Sequence, residues 1–511
     1  MTRIAALASI VAVLSLIASS SAADEPSFLR FDIRDTDNQA LPCRIHLFDS
    51  ANKPVKPEGY PAWNDHFVCG GSADLVLQPD TYRYEIERGP EHERLSGTIG
   101  LNANDSKGVS DTLDRIADLR SLGWYSGDVH VHRPVEDVPL LMQAEDLDIA
   151  PVITWWNQQN LWADREIPAT TLTQFDGHRF YDVMAGEDER GGGALLFYGL
   201  KRPLEITQAE REFPSPLTYA GMAREANPEV WIDIEKPFWW DAPVWLASGV
   251  TRTIGIANNH MCRSRMYENE AWGRPRDAER LPNPRGNGYW TQEIYYHALN
   301  CGLRLPPSAG SASGVLPNPV GYNRVYVQVD GELTWEKWWE GLAAGRSFVT
   351  NGPLLNCRAN RELPGHEFEL RPGEPLLVNI DFNLASLDHV PGVEIIQNGA
   401  VIQTIAVDDV RELQLSASLT FNEPGWFLVR AITDRPETFR FASTAPYYVA
   451  AKDAPPRISR TSAEFFAKWA AERAERVRKA LPDPEQARAV LAFHDDAVRY
   501  WNDVLARANA E

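Results

Sequence analysis

Cysteine is scarce in this chain of 511 residues, and its scarcity argues against two classes of structure. Five cysteines are too few to form a disulfide scaffold, and there is no Cys-x-x-Cys pair that could provide the ligands of a thiolate zinc site. Cys43 and Cys69 fall within one small N-terminal unit. A disulfide between them in an oxidising compartment and a pair of free thiols are both open from the sequence.

Positive charge is also in short supply. The sequence carries 50 lysines and arginines against 71 aspartates and glutamates, which gives a formal net charge of −21. A surface this acidic repels phosphate backbones and anionic lipids, which argues against nucleic acids and membrane surfaces as partners. We therefore expect a small-molecule substrate, while the sequence gives no indication of the oligomeric state.

Long apolar stretches are missing except at the N terminus. There a single arginine precedes an apolar run and then a cluster of small residues, all within residues 1–23. This order predicts a secretory signal peptide, cleaved after Ala22 or Ala23, and a secreted or periplasmic mature protein. The alternative is an uncleaved anchor, although the run is shorter than the ~20 residues that span a bilayer. No later segment predicts a membrane span.

The character of the sequence changes along its length. Residues 24–115 and 354–452 show short alternating strands broken by turn residues, including Asn398-Gly399, which predicts an antiparallel β-sandwich in each region. Between them, residues 116–353 alternate strand-like and helix-like segments, which is typical of a closed or nearly closed parallel barrel. Residues 453–511 predict a helical hairpin. The predicted fold class is therefore α/β.

Asp128, His130 and His132 occupy alternate positions of a predicted strand. Because successive side chains of a strand point to opposite faces, all three would lie on one face of the strand and could bind a divalent cation. The alternative is a pair of ordinary histidines in a half-buried strand. Three further polar clusters follow apolar runs, so in a barrel all four would face one mouth. These clusters centre on Glu187, on Glu235 with Lys236, and on His260.

Five motifs in the central region carry a family resemblance. They are Gly127-Asp128-Val129-His130-Val131-His132-Arg133, Ala144-Glu145-Asp146-Leu147, Ala185-Gly186-Glu187, Ile256-Ala257-Asn258-Asn259-His260 and Gly345-Arg346-Ser347-Phe348-Val349-Thr350-Asn351-Gly352-Pro353. Over about residues 121–353 the chain resembles the PHP superfamily of metal-dependent hydrolases, most closely its secreted CehA/McbA branch, which is associated with carbaryl hydrolysis. The resemblance implies a distorted (β/α)7 PHP-type barrel and one to three divalent metals that activate water.

The chain departs from the family pattern at three places. It has Thr154-Trp155-Trp156 where the family carries Thr-Asp-His, Lys236-Pro237 where it carries His-Pro, and Gly310-Ser311-Ala312-Ser313-Gly314 where it carries Asp-x-His. The ligands that remain are sufficient for one metal ion. They are His130, His132, Glu187 and His260, and a second ion would need Asp128 or Glu235. Imidazole and carboxylate donors suit zinc, manganese or iron without distinguishing them.

The residues around these ligands suggest roles in the reaction. Glu235 is predicted to shuttle a proton, and Asp128 joins the predicted catalytic set. Lys236 has three interpretations: a cation that stabilises an oxyanion, a carboxylated metal ligand, or an ion pair with Asp233 or another acid. Four tryptophans at predicted strand ends form either a substrate pocket wall or ordinary core. They are Trp155, Trp156, Trp239 and Trp240.

Together these observations predict a secreted or periplasmic hydrolase that uses metal-activated water. Its substrate class is an ester, amide, carbamate or phosphoester, and both the family resemblance and the acidic balance favour a neutral carbonyl compound. The alternative is a catalytically degenerate barrel that binds carbohydrate or protein through its tryptophans. Because fold does not determine function, the residues of the site have to decide between the two.

Overall fold

The computed structural model describes residues 25–407, 412–452 and 454–511. Strands dominate, with 37% of residues in strands and 21% in helices. The predicted signal peptide, residues 1–23, lies outside the described residues. Among the helices of the described part, none has the length and apolar character needed to cross a membrane.

The N-terminal unit contains two sheets that enclose a core of residues such as Phe31, Ile45 and Phe67. One sheet has the order β5-β1-β8 and the other β3-β4-β2-β6-β7. The prediction of a purely antiparallel sandwich is wrong, because β1 and β8 run parallel. The strands are β1 (Ser27–Arg34), β2 (Cys43–Phe48), β3 (Ala62–Trp63), β4 (His66–Cys69), β5 (Ser72–Leu77), β6 (Asp80–Glu87), β7 (Leu95–Leu101) and β8 (Ser106–Thr112).

Cys43 and Cys69 are direct cross-strand partners in the antiparallel pair β2 and β4, with their sulfur atoms 3.8 Å apart. Antiparallel partners have Cα atoms about 4.5–5.5 Å apart, within the range that a disulfide accepts. We expect refolding with oxidised glutathione to join them, which removes two thiol hydrogens and raises the free energy of unfolding by about 3 kcal/mol. Mass spectrometry and urea unfolding measure both changes. The Cys43→Ser variant should show neither, and free thiols after such refolding would contradict the prediction.

The central region forms a mixed sheet that closes on itself. Its strands are β9 (Trp124–Gly127), β10 (Ile149–Trp156), β11 (Gln159–Asn160), β12 (Leu172–Phe175), β13 (Arg179–Arg190), β14 (Gly193–Tyr198), β15 (Trp231–Ile234), β16 (Thr253–Ala257), β17 (Pro307–Ala309), β18 (Arg324–Gln328) and β19 (Ser347–Thr350). Its helices are α1 (Val138–Ala144), α2 (Pro216–Ala226), α3 (Ala242–Ser248), α4 (Gly286–Asn300) and α5 (Trp335–Ala343).

The predicted α/β fold class with a (β/α)7 barrel is wrong. In the described residues β13 and β14 form an antiparallel hairpin, and β14 then pairs antiparallel with β15. The hairpin turns at Gly191-Gly192, so consecutive strands are joined without the helix that a parallel crossover requires. β18 also runs antiparallel to both β9 and β19. The parallel pairing that the sequence predicted is retained between β10 and β13, and from β15 through β17.

The region after residue 353 does not form a separate antiparallel sandwich, which corrects the second sandwich prediction. β19 pairs with β27, so the central sheet continues into this region, and β20, β22 and β25 form a second sheet against it. The predicted turn at Asn398-Gly399 is confirmed between β23 and β24. The strands are β20 (Leu354–Ala359), β21 (Glu367–Leu370), β22 (Leu376–Ala385), β23 (Gly392–Gln397), β24 (Ala400–Ala406), β25 (Glu412–Phe421), β26 (Gly425–Ile432), β27 (Phe441–Thr444) and β28 (Tyr447–Ala451).

The chain ends in two long helices, α6 (Arg460–Ala480) and α7 (Pro484–Ala506), which pack on each other as the sequence predicts. They dock onto α3 through Asp241, the residue before that helix. The Asp241 carboxylate accepts a hydrogen bond from Arg473 Nε at 2.6 Å and lies 3.2 Å from His494 Nε2. Because all three side chains are buried, this contact fixes the hairpin against the central region.

Candidate metal centre

The His-x-His segment lies just beyond β9, which ends at Gly127. The prediction that Asp128 projects beside the two imidazoles from an extended strand is wrong. Its carboxylate instead accepts hydrogen bonds from the backbone N–H groups of His130, Ser311 and Gly321, at 2.7–3.0 Å. Asp128 therefore holds the backbone of this segment in place. Its predicted catalytic role stays a prediction.

Three donor atoms from His130, His132 and Glu187 converge. The two histidine Nε2 atoms are 3.0 Å apart, and Glu187 Oε2 lies 3.3 Å from the first and 3.1 Å from the second. A tetrahedral cation with bonds of about 2.0–2.2 Å holds its ligand atoms a little over 3 Å apart, so this triangle fits such an ion. Glu187 reaches the site because its strand, β13, pairs with β10. In this pair Glu187 lies opposite Trp156.

Glu235 and Lys236 lie behind His130 rather than among the three donors. His130 Nδ1 is 3.5 Å from Glu235 Oε1, and both atoms are buried without a hydrogen-bond partner. The other carboxylate oxygen, Oε2, accepts from Trp239 Nε1 at 3.0 Å and pairs with Lys236 Nζ. Of the three interpretations of Lys236, the structure shows the ion pair with an acid, and Glu235 is the partner. The predicted catalytic role of Lys236 stays a prediction. A cation held by His130 Nε2 would leave the proton of this ring on Nδ1, on the side of the unpartnered Glu235 oxygen.

The charges around the triangle favour a positive species at its centre. Burial lowers the pKa of His130, but the carboxylates of Glu187 and Glu235 outweigh it and raise that pKa to about 10. Burial raises the pKa of Glu187, yet the two imidazoles hold it well below its usual range. Two carboxylates face one imidazole here, so the site stabilises added positive charge, which is the charge balance that a divalent cation needs.

Glu189 belongs to the polar cluster centred on Glu187, but no role in the site was predicted for it from the sequence. Glu187 and Glu189 are two positions apart on β13 and therefore lie on the same face of that strand. Burial and the negative charge of Glu187 raise the pKa of Glu189 to about 8. The Glu-x-Glu spacing is a usable signal, because β13 continues through these polar residues to Arg190.

His260 is not part of the triangle. Within the described part of the chain, the group of donor atoms that includes His130 contains His132 and Glu187 but not His260. The His260 ring packs 5.4 Å from Phe238 and 5.2 Å from Tyr267, centre to centre. Burial and the nearby Lys236 charge lower the pKa of His260 to about 3, so the imidazole is neutral. Its predicted role as a ligand stays a prediction.

The four predicted substrate tryptophans differ in position. Trp156 borders a cavity beside His132, with the two rings 4.9 Å apart. Trp155 borders the same cavity but is 1% exposed, with its indole N–H bonded to the Met184 carbonyl oxygen. Trp239 is buried on Glu235, and Trp240 is buried under the Arg476 guanidinium group, 3.8 Å from the ring centre. Core packing accounts for Trp155, Trp239 and Trp240.

No protein-family model matches this chain, and no curated protein matches it significantly. The family resemblance of the metal motifs therefore stays a prediction. Three features of the molecule bear on its function, namely the donor triangle, the carboxylate behind it and the cavity beside it.

Proposed function

We propose that this protein is a metal-dependent hydrolase whose cation is bound by His130, His132 and Glu187. The observation that carries the proposal is the triangle of three donor atoms, 3.0–3.3 Å apart, in which His130 and Glu187 are buried and the partly buried His132 borders an open cavity. Imidazole and carboxylate donors suit zinc, manganese or iron. One ion is what this triangle accommodates.

A divalent cation bound there would supply Lewis acidity, which acidifies water and polarises a carbonyl or phosphoryl oxygen. The chain's own residues supply positioning. Glu235 Oε1 lies 3.5 Å from His130 Nδ1 and its negative charge favours the tautomer with the proton on that nitrogen, while Lys236 and Trp239 hold the other Glu235 oxygen. Because Glu235 is buried behind the ligand, we assign it a positioning role instead of the proton shuttle that the sequence suggested.

The bond cleaved belongs to an ester, amide, carbamate or phosphoester, and the motif resemblance to the CehA/McbA branch supports a carbonyl substrate. The predicted leader supports a secreted or periplasmic location. The alternative function, a carbohydrate- or protein-binding module built on the tryptophans, has less support, because three of those four side chains are packed in the core.

Metal analysis tests the proposal. We expect protein purified after supplementation with zinc, manganese or iron to hold about one ion per chain. Hydrolysis is screened with aryl esters, carbamates and phosphodiesters. Chelation should abolish it and returning the metal should restore it, because the cation held by the imidazoles and the carboxylate activates the water. Protein without bound metal under every supplementation would overturn the assignment.

A further inference from the structure

The cavity beside the donor triangle has a volume of about 620 Å³, within the usual range of about 300–1,000 Å³ for small-molecule sites. His132 borders it, so a molecule in the cavity reaches the edge of the triangle. Ile153, Trp156, Leu161 and Val315 give the cavity an apolar side. The ligand of this site therefore has an apolar body.

Arg133 forms a buried cationic part of the same cavity wall and is 5% exposed. Its Nη2 atom donates to the Ala62 carbonyl oxygen at 3.2 Å and lies 3.8 Å from Asp137 Oδ2. Its Nη1 atom is buried and has no hydrogen-bond partner. Leaving a buried charged donor unpaired is costly, so an acceptor that reaches Nη1, either a water molecule or a ligand group, is stabilised there.

Trp156 supplies a second donor of the same kind. Its Nε1 atom is buried and also lacks a hydrogen-bond partner. Both unpaired groups are N–H donors, and both residues border one cavity. The charged side chains on its lining are Arg133, Arg165 and Glu136, and positive charge predominates among them. Two donors with this charge select a ligand group that accepts hydrogen bonds and is negatively charged.

We propose that the substrate carries an oxyanion, a carboxylate or phosphoryl group, which binds Arg133 Nη1 and Trp156 Nε1. Its apolar body lies along the cavity, and the bond to be cleaved faces the donor triangle. This substrate class rests on the proposed hydrolase function. It replaces the neutral substrate that the net charge of the whole chain favoured. The charge of the cavity lining acts on a molecule bound there, whereas the net charge describes the chain as a whole.

The N-terminal unit holds Arg133 in place. Besides the bond to the Ala62 carbonyl, the Arg133 guanidinium group lies 5.7 Å from the ring centre of Trp63. Trp63 in turn donates from its indole N–H to the Leu316 carbonyl oxygen at 2.7 Å. The unit that sequence analysis treated as a separate sandwich thus orients the group that selects the substrate.

Calorimetric titration of the full-length protein tests the inference, with phenylphosphonate, benzoate and neutral benzamide as probes. The metal-free and metal-loaded forms are both titrated, so that an anion bound by Arg133 is distinguished from one bound by the metal. We expect Arg133→Met and Trp156→Phe each to weaken binding of the preferred anion, by about 10- to 100-fold for the charged residue. Arg488→Met, which replaces an exposed arginine on α7, should leave binding unchanged.

The outcomes separate this inference from the hydrolase proposal. Anion binding that falls in both cavity variants, and exceeds benzamide binding in the parent, supports the oxyanion subsite. The tighter of the two anions then identifies the group as phosphoryl or carboxylate. Binding of all three probes alike, or binding that Trp156→Phe and Arg133→Met leave unchanged, overturns the subsite even if metal and hydrolysis are present. If the protein holds no metal, the metal-free titration still tests the oxyanion subsite. If Arg133→Met does not fold, the Trp156→Phe variant provides the test.

Discussion

Replacing His130 and His132 together with alanine should remove the bound metal and lower kcat/KM for hydrolysis by at least about 10³-fold. Loss of both Nε2 atoms leaves Glu187 as the remaining donor of the triangle, which is too few for a stable site. The activity estimate follows from the several kcal/mol that a Lewis-acid cation contributes to the transition state, about 4 kcal/mol for a thousandfold change. Metal content and initial rates measure both effects.

Two further variants sharpen this experiment. Glu235→Gln keeps all three donor atoms but weakens the support of His130 Nδ1, so we expect metal affinity or activity to fall by about 10- to 100-fold. His389→Ala removes an exposed histidine paired with Asp434 and should change neither measurement. Retention of full metal content by the double variant, with melting behaviour like that of the parent, would show that the cation lies elsewhere.

Asp146→Asn should lower the free energy of unfolding by about 3–5 kcal/mol. The Asp146 carboxylate is buried and lies 2.5–3.3 Å from four guanidinium groups, so its neutralisation removes the buried negative charge that all four share. These belong to Arg88, Arg115, Arg120 and Arg179. Asparagine is the better replacement because the backbone φ here is 49°, a left-handed value that asparagine adopts at a lower cost than alanine.

The pH dependence of this loss has a definite sign. Burial would raise the pKa of Asp146, but the four guanidinium groups hold it well below its usual range. The stability it contributes is therefore complete above the unfolded-state pKa of about 3.9 and declines as the pH falls below that value. Urea unfolding at several pH values should show a constant difference between parent and variant near neutrality and a smaller one below about pH 4.

A matched control is Asp176→Asn. Asp176 pairs with Arg179 at 3.2 Å, but its side chain is 37% exposed, so we expect a loss of about 1 kcal/mol or less. Equal losses in the two variants would contradict a special role for the buried carboxylate. The result also bears on the motif Ala144-Glu145-Asp146-Leu147, because its acids contact arginines rather than the donor triangle.

The sequence located the centre of the candidate site but not its surroundings. His130, His132 and Glu187 are recognisable because few other roles need these residue types after apolar strand-like runs. The unpaired donors of Arg133 and Trp156 are not recognisable, since whether a donor has a partner depends on which segments pack against it. The role of Asp128 was likewise hidden, because its partners are backbone N–H groups from segments about 190 residues away.

The barrel prediction failed for a related reason. Apolar runs indicate buried strands, but they do not say whether neighbouring strands run parallel or antiparallel. Gly191-Gly192 was a usable hairpin signal between β13 and β14, since two glycines between apolar or alternating segments favour a tight turn. The polar residues of β13 concealed it, because Glu187 to Arg190 resemble a loop although they pair with β14. The terminal helices were predictable because their periodicity is long and their caps are local.

The pairing of β19 with β27 limits how the protein can be shortened. A fragment ending near residue 353, where the sequence alone suggests a boundary, would lack β27 and leave one side of β19 without hydrogen-bond partners. Uncovered strand edges promote edge-to-edge association between molecules, so such a fragment would tend to aggregate. A shortened protein that avoids this exposed edge must therefore retain the chain at least through β27.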